Sequence, residues 1–287
     1  MGKLLEKAMS PTLLNNAWKR LGTDKAIWAP GTSRADMERN LVYHLLTLRE
    51  EVVAGSYRPE SLRHFTIAKA DGRRRVLSAL TLRDKLVQRA VLEAIEPLGE
   101  QLFHNDSFGY RPGRNVDQAV ARARERIQCG LFWLVDADIG SFFDNIPHEP
   151  LFKLVKKLIP DREIVDLVRR WLKESIPHQG ILGPRRGLPQ GGVLSPFLCN
   201  LYLHTFDQEL SRNSIPFVRF ADDFLVFAPS RKSAETAYSF VERRLADLGL
   251  ALHPEKSRVT KSGKHVVFLG QRLPPPGTEK RRKCRHL

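Results

Sequence analysis

Residues Arg219–Ala228 read RFADDFLVFA, an apolar run broken by two adjacent carboxylates, Asp222 and Asp223. Aromatic and aliphatic residues on both sides ask for a buried strand. A bare carboxylate placed there is costly unless a cation, a metal or a hydrogen-bond network compensates it. The segment therefore predicts a hairpin with the aspartates at its tip. Turn chemistry alone explains Asp-Asp at a hairpin tip equally well, so the rest of the chain has to decide between the two.

A second acidic strand end lies upstream. LFWLVDAD (Leu131–Asp138) reads as a strand finishing in Asp136 and Asp138, whose two-residue spacing puts them on one face. A sheet can bring that strand end and the hairpin tip together. Two or three carboxylates gathered in a basic protein ask for a divalent metal. Hard oxygen ligands suit Mg2+, which takes one or two protein carboxylates plus substrate phosphates. Two such ions roughly 4 Å apart clamp the attacking and leaving oxygens in nucleotidyl transfer.

The charge balance agrees with a phosphate-rich partner. Lys plus Arg number 47 against 32 Asp plus Glu, a net +15 over 287 residues, and such an excess points to a polyanion. Three scattered cysteines (Cys129, Cys199, Cys284) argue against a disulfide scaffold or a cysteine-rich zinc site. The N-terminus, MGKLLEKAMSPTLL, lacks a signal-peptide core and the Ser/Thr of a myristoylation site. No apolar run approaches transmembrane length. The expected location is cytoplasmic, with no membrane partner.

Hydrophobic spacing supplies the architecture. Met37, Leu41, Leu45, Leu48 and Val52 predict an N-terminal helix stopped by Gly55. HFTIAKADGRRRVLSAL predicts two short strands around an Asp71-Gly72 turn. After Thr81 an amphipathic helix buries Leu82, Leu86, Ala90, Val91 and Ala94, and Pro97 should end or kink it. Helices are expected around Ile164–Leu172, over VLSPFLCNLYLHTF and over Ser233–Leu248, then a last strand in KHVVFLGQRL. Strands and helices in that order predict an α+β fold, an antiparallel sheet backed by helices. The closing PPPGTEKRRKCRHL is Pro-led and basic and compositionally suits disorder or docking.

The combination resembles the reverse transcriptases. FADD followed by LVFA is similar to that family's catalytic box, and DIGSFFDNIPH (Asp138–His148) to its first catalytic motif. GLPQGGVLSPFLCNLYL matches the motif that follows, LALHPEKS the lysine motif and FLGQRL the primer-grip strand. RRRVLSALTLRDKLVQRAVL and SFGYRPGRNVDQAV resemble finger motifs of the group II intron-like branch. An ordered set of this kind is far more specific than one box. It implies right-hand polymerase fingers and palm. Residues 1–130 would form an N-terminal helical extension and fingers, and 131–273 the palm with finger-side helices near 149–186. Residues 274–287 would be a basic tail.

The resemblance also implies roles. Asp138, Asp222 and Asp223 would be the catalytic acids and metal ligands, holding Mg2+ with Mn2+ as a substitute, while Asp136 is structural. Phe143, an ordinary core residue by its own neighbourhood, matches the aromatic that excludes a 2′-hydroxyl and selects deoxynucleotides. Lys69 and Arg75 match finger residues reaching the triphosphate, where a guanidinium contacts phosphate bidentately. Gln190 would line the nucleotide and template pocket, and Lys256 would protonate pyrophosphate. Ser141 and Asp144 read as turn and cap residues. The partners implied are an RNA template, a DNA or RNA primer and dNTPs.

Two departures refine this expectation. VLSALT (Val76–Thr81) stands where intron proteins read Leu-Gly-Ile-Pro-Thr, a wording closer to reverse transcriptases of CRISPR arrays. Spacer acquisition from RNA, with the CRISPR integrase complex as partner, follows as the expected pathway. The residues after FLGQRL leave no room for a thumb, maturase helices or an endonuclease. The rivals are an intron-derived or abortive-infection reverse transcriptase and a non-catalytic RNA-binding accessory protein. Binding alone would need none of Asp138, Asp222, Asp223 and Phe143.

Overall fold

The structure is a computed structural model that describes residues 2–68, 74–174 and 185–277. It opens with helices α1 (Lys3–Ala8), α2 (Pro11–Arg20), α3 (Arg34–Arg39) and α4 (Leu41–Val53), then strands β1 (Arg63–Ala68) and β2 (Arg74–Ala79). Helices α5 (Leu82–Leu102) and α6 (Val116–Gln128) lead into strand β3 (Trp133–Asp138). Next come α7 (Phe142–Asn145), α8 (His148–Leu158), α9 (Arg162–Glu174) and α10 (Ser195–Arg212). Strands β4 (Phe217–Phe220) and β5 (Asp223–Ala228), helix α11 (Arg231–Asp247), and strands β6 (Arg258–Lys261), β7 (Val267–Phe268) and β8 (Gln271–Arg272) complete the order. No helix among the described residues is long and apolar enough to cross a membrane.

These elements gather into two compact units, each assembled from two stretches of chain. The first holds Met1–Gln101 and Pro147–Leu198, the second Leu102–Ile146 and Cys199–Leu287.

In the first unit, Leu82, Leu86, Ala90, Val91 and Ala94 are all buried, as their spacing requires. Pro97 does not end α5, which runs on to Leu102. The proline removes one backbone donor, but Ala94, Ile95 and Gly99 are buried around it, and that packing outweighs the lost bond. The predicted N-terminal helix is two helices, because Asn40 takes a non-helical φ of −128° between α3 and α4. Strands β1 and β2 pair antiparallel from Arg63↔Ala79 to Ala68↔Arg74, and the expected Asp71-Gly72 turn lies outside the described residues. Below them, the buried Asp84 carboxylate accepts from Tyr57 Oη at 2.6 Å, from Thr81 Oγ1 at 3.0 Å and from the Glu60 amide at 3.0 Å. Trp171 Nε1 in turn donates to Tyr57 Oη at 3.2 Å. A buried carboxylate met by three donors fixes the turn before α5 to the chain after α4.

The second unit is built on a four-stranded antiparallel sheet in the order β4-β5-β3-β6. The register pairs Leu134 with Phe227, Asp136 with Leu225 and Asp138 with Asp223, so all six occupy one face. Val135, Ala137, Phe224 and Val226 are buried on the other face, and α11 packs along β3, β5 and β6. On the aspartate face, Leu134, Leu225 and Phe227 join Ala119, Val120, Ala123 and Ile127 of α6 in one core. Val266, Phe268 and Leu273 belong to the same core. One end of that face is therefore covered, while the end with the carboxylates stays half exposed.

The expected last strand is a tight hairpin instead. Leu269 and Gly270 take left-handed φ of 53° and 80° between β7 and β8, so the chain reverses inside the apolar run. Strand β6 was not anticipated, although it completes the sheet beside β3.

Candidate active site

The chain around the aspartates is sharply folded. Strand β4 ends at Phe220 and β5 begins at Asp223, so Ala221 and Asp222 form a two-residue turn. Ala221 is left-handed, with φ 59°, a conformation that costs a non-glycine residue of the order of 1 kcal/mol. Arg219 holds it in place. This fully buried arginine makes a two-pronged pair with Asp207 at 2.7 and 2.5 Å and donates to Ala221 O at 3.0 Å and Asn200 Oδ1 at 3.1 Å. Asn200 Nδ2 then donates to Gly109 O at 2.7 Å. Gly109 lies against the turn so closely that a Cβ there would overlap the Ala221 backbone nitrogen. The predicted hairpin with its acids at the tip is thus present, braced from α10 and from the 106–111 loop.

Asp138 faces Asp223 directly across the β3–β5 ladder, which places their Cβ atoms about 4.5–5.5 Å apart. The Ile139 amide donates to Asp222 O at 3.2 Å and ties the turn to the end of β3. The Asp223 carboxyl is pushed up to about 7, first by burial and then by the charges of Asp136, Asp138 and Asp222, with Lys256 opposing. Burial also raises Asp136, against the pull of Arg258, whose Nη2 stands 3.3 Å from its carboxylate. Cys199, a free and fully buried thiol, is pushed up by burial and then by Asp222, so it is no nucleophile at neutral pH.

The lysine motif reaches the same place by pairing with β3. Gly140 N donates to Ala251 O at 2.9 Å, and His253 N to Asp138 O at 2.7 Å. Lys256 follows in the next turn, its Nζ 3.1 Å from Asp138 Oδ2. Lys256 and Arg258 stand against four carboxylates, Asp136, Asp138, Asp222 and Asp223, which outnumber them. Among the described residues no group of three His, Cys, Asp or Glu side chains stands ready as a metal cage. The donors are carboxylate oxygens, the kind a hard divalent cation takes, and Asp138, Asp222 and Asp223 are the residues that could hold one.

Phe143 sits half-buried on α7, edge-on to Phe142 at 5.7 Å and to Tyr110 at 6.4 Å. Ser141 occupies the position before α7 in a left-handed conformation, φ 46°, and its side chain makes no capping bond, contrary to the expectation of a cap. Of the residues expected at the nucleotide site, Gln190 belongs to the first unit, where its carbonyl accepts from the Ser78 amide at 2.9 Å. Gly191 beside it has φ 103°, and a Cβ there would press on Ser78 O at 3.0 Å, so a glycine is required. Lys69 lies outside the described residues, and for Arg75 only the backbone in β2 is described.

The sequence reading missed Arg219, Asn200, Gly109, Tyr110 and Arg258. RVTK in β6 has a single apolar residue and no period-two alternation, so no local pattern marks the strand that carries Arg258. Nothing local marks Asn200 or Gly109 as braces.

An antiparallel sheet with acids on its two central strands and helices packed behind it is the palm of a nucleic-acid polymerase. More narrowly, the chain belongs to the reverse transcriptase (RNA-dependent DNA polymerase) family, which matches residues 67–273. It is 29% identical to protein YkfC of Escherichia coli K12, across 94% of this chain and 82% of that protein. It is 35% identical to the group II intron-encoded protein LtrA of Lactococcus lactis subsp. cremoris, across 58% of this chain but only 28% of LtrA. Among solved structures, a chain of a Cas6-RT-Cas1–Cas2 complex matches with a TM-score of 0.50 at 25% identity, covering 86% of this chain and 42% of that one. Apo telomerase from Candida tropicalis shares the fold, with a TM-score of 0.54 at 12% identity over 74% of this chain and 47% of that one. The chain therefore spans most of YkfC but under half of the intron and CRISPR relatives.

Proposed function

We propose that the chain is an RNA-directed DNA polymerase that extends a DNA or RNA primer along an RNA template with dNTPs. The supporting observation is the cross-strand pairing of Asp138 with Asp223 beside Asp222, where burial first, and then the charges of Asp136, Asp138 and Asp222, push the Asp223 carboxyl up to about 7. Such a cluster serves no purpose in a protein that only binds RNA. Asp138 and Asp222 would hold Mg2+, or Mn2+ in its place, with Asp223 alongside. The bound ions would supply the Lewis acidity that activates a primer 3′-hydroxyl and neutralises departing pyrophosphate. Phe143 closes the space a 2′-hydroxyl would need. Lys256, paired with Asp138, is the cation placed to meet the phosphates and give pyrophosphate its proton. Lys69, Arg75 and Gln190 are the further residues assigned to nucleotide binding, on their match to the family's motifs.

The pathway reading is cDNA synthesis for spacer acquisition from RNA, in the cytoplasm, beside a CRISPR integrase. Likeness to the Cas6-RT-Cas1–Cas2 chain supports it, and the 35% identity to LtrA supports an intron-derived role instead. Primer extension on an RNA template with Mg2+, comparing wild type with Asp222→Asn, tests the chemistry. DNA from wild type alone is expected, and equal product from the variant would overturn the proposal. Gel filtration with the integrase proteins tests the pathway, which fails if they never co-elute.

A further inference from the structure

Tyr110 is an unusual residue for its position. Its φ is 60°, in the left-handed region that glycine occupies freely and a tyrosine does not. The segments on both sides are pinned. Before it, Arg219 N donates to Asp106 O and Phe108 N to Arg219 O, each at 2.8 Å, and Gly109 O accepts from Asn200. After it, the buried Arg111 donates from Nη1 to His104 O and Ser107 O, both at 2.7 Å. The side chain is half exposed, so burial does not account for the tyrosine. What the strained turn achieves is placement: the ring meets Phe143 edge to face, 6.4 Å between centroids and 79° between planes.

Building on the polymerase reading, we infer that Tyr110 is a specificity-determining residue that locks Phe143 as the barrier to a ribose 2′-hydroxyl. A steric barrier discriminates only if it cannot step aside. Phe142 closes off Phe143 on one side, at 71° between planes, and is itself buried. Tyr110 supplies the second contact. Without it the Phe143 ring is free to turn toward the vacated space and admit a ribonucleotide. Because the 106–111 loop also braces the Asp222 turn, the sugar barrier and the catalytic acids share one rigid mount.

The test is the ratio of kcat/KM for dNTP to that for NTP in primer extension, for wild type, Tyr110→Phe, Tyr110→Gly and Phe143→Ala. Tyr110→Gly relieves the strained backbone, so it should fold at least as stably as wild type, and a lost ratio cannot be blamed on unfolding. The ring pair predicts that Tyr110→Gly lowers the ratio about 3- to 10-fold. Tyr110→Phe should keep the ratio. Phe143→Ala should lower it further, and adding Tyr110→Gly should then change nothing. A wild-type ratio in Tyr110→Gly alongside a collapsed ratio in Phe143→Ala would overturn the inference alone. An unchanged ratio in Phe143→Ala would remove the barrier itself and the inference with it, leaving the polymerase standing. If wild type extends no primer at all, the polymerase reading goes, and the inference goes with it.

Discussion

Asp223 illustrates how a single residue reports on its surroundings. Its carboxyl sits at about 7 when folded, against 3.8 when unperturbed. Below 3.8 both states carry the proton; between the two values only the folded state does, so stability falls as pH rises through that window and stays reduced above it. In divalent-free buffer, Asp223→Asn should therefore stabilise the protein by about 4 kcal/mol at pH 8 and by less than about 1 kcal/mol near pH 4. Urea unfolding at the two pH values checks this, and an equal gain at both would contradict the charge argument. The acids themselves were legible in the sequence because carboxylates inside apolar strands are rarely placed without reason. The raised Asp223 was not, since it depends first on its burial in the fold and then on Asp136 and Asp138 being brought in from a strand far away in the chain. Phe143 was legible only through the motif around it; its contact with Tyr110 needed the fold.

At the scale of elements, the hairpin β4–β5 carries the site, and its support comes from outside it. Arg219 and Asp207 form a fully buried pair. Truncating one member strands the other's charge, so Arg219→Met should cost about 3–5 kcal/mol in denaturant unfolding, and adding Asp207→Leu should restore part of it. A double variant no better than the single one would argue against the pair. Gly109→Ala should behave differently. Its methyl group would push on the Ala221 backbone, displacing the Asp222 turn, and an active-site shift of about 1 Å can cost about 100-fold in rate. Primer extension should fall by at least about tenfold while RNA binding stays near wild type; parallel losses in both would point to misfolding. Periodicity read α9 and α11 because their burial is one-sided, while β3 and β5 were legible as nearly continuous apolar runs because both of their faces are covered. It failed at Pro97, where surrounding packing overrides a local breaker, and at the β7–β8 turn, where an apolar run conceals a reversal.

For the whole molecule, composition was informative about the partner and silent about the layout. A net charge of +15 predicts that RNA binding weakens steeply with salt. If about six phosphates of a single strand are neutralised, each contributing a slope of about −0.7, a fourfold rise in salt should lower affinity roughly 300-fold. Fluorescence anisotropy across a salt series measures the slope, and a flat response would mean that the charge faces elsewhere. No local pattern announced that the chain forms two units from four interleaved stretches, because that division depends on contacts between residues distant in sequence.

The interleaving has a consequence for the order in which the molecule can be made. In a chain emerging from the ribosome Met1–Gln101 precede Pro147–Leu198, and they lack about a third of their unit until Leu198 has appeared. Asp138 emerges early and waits for Asp222, Asp223 and the braces from Asn200 to Arg219. Nascent chains halted anywhere before β5 hold the pieces of a polymerase and none of its chemistry, so the activity arrives late and all at once rather than accumulating along synthesis.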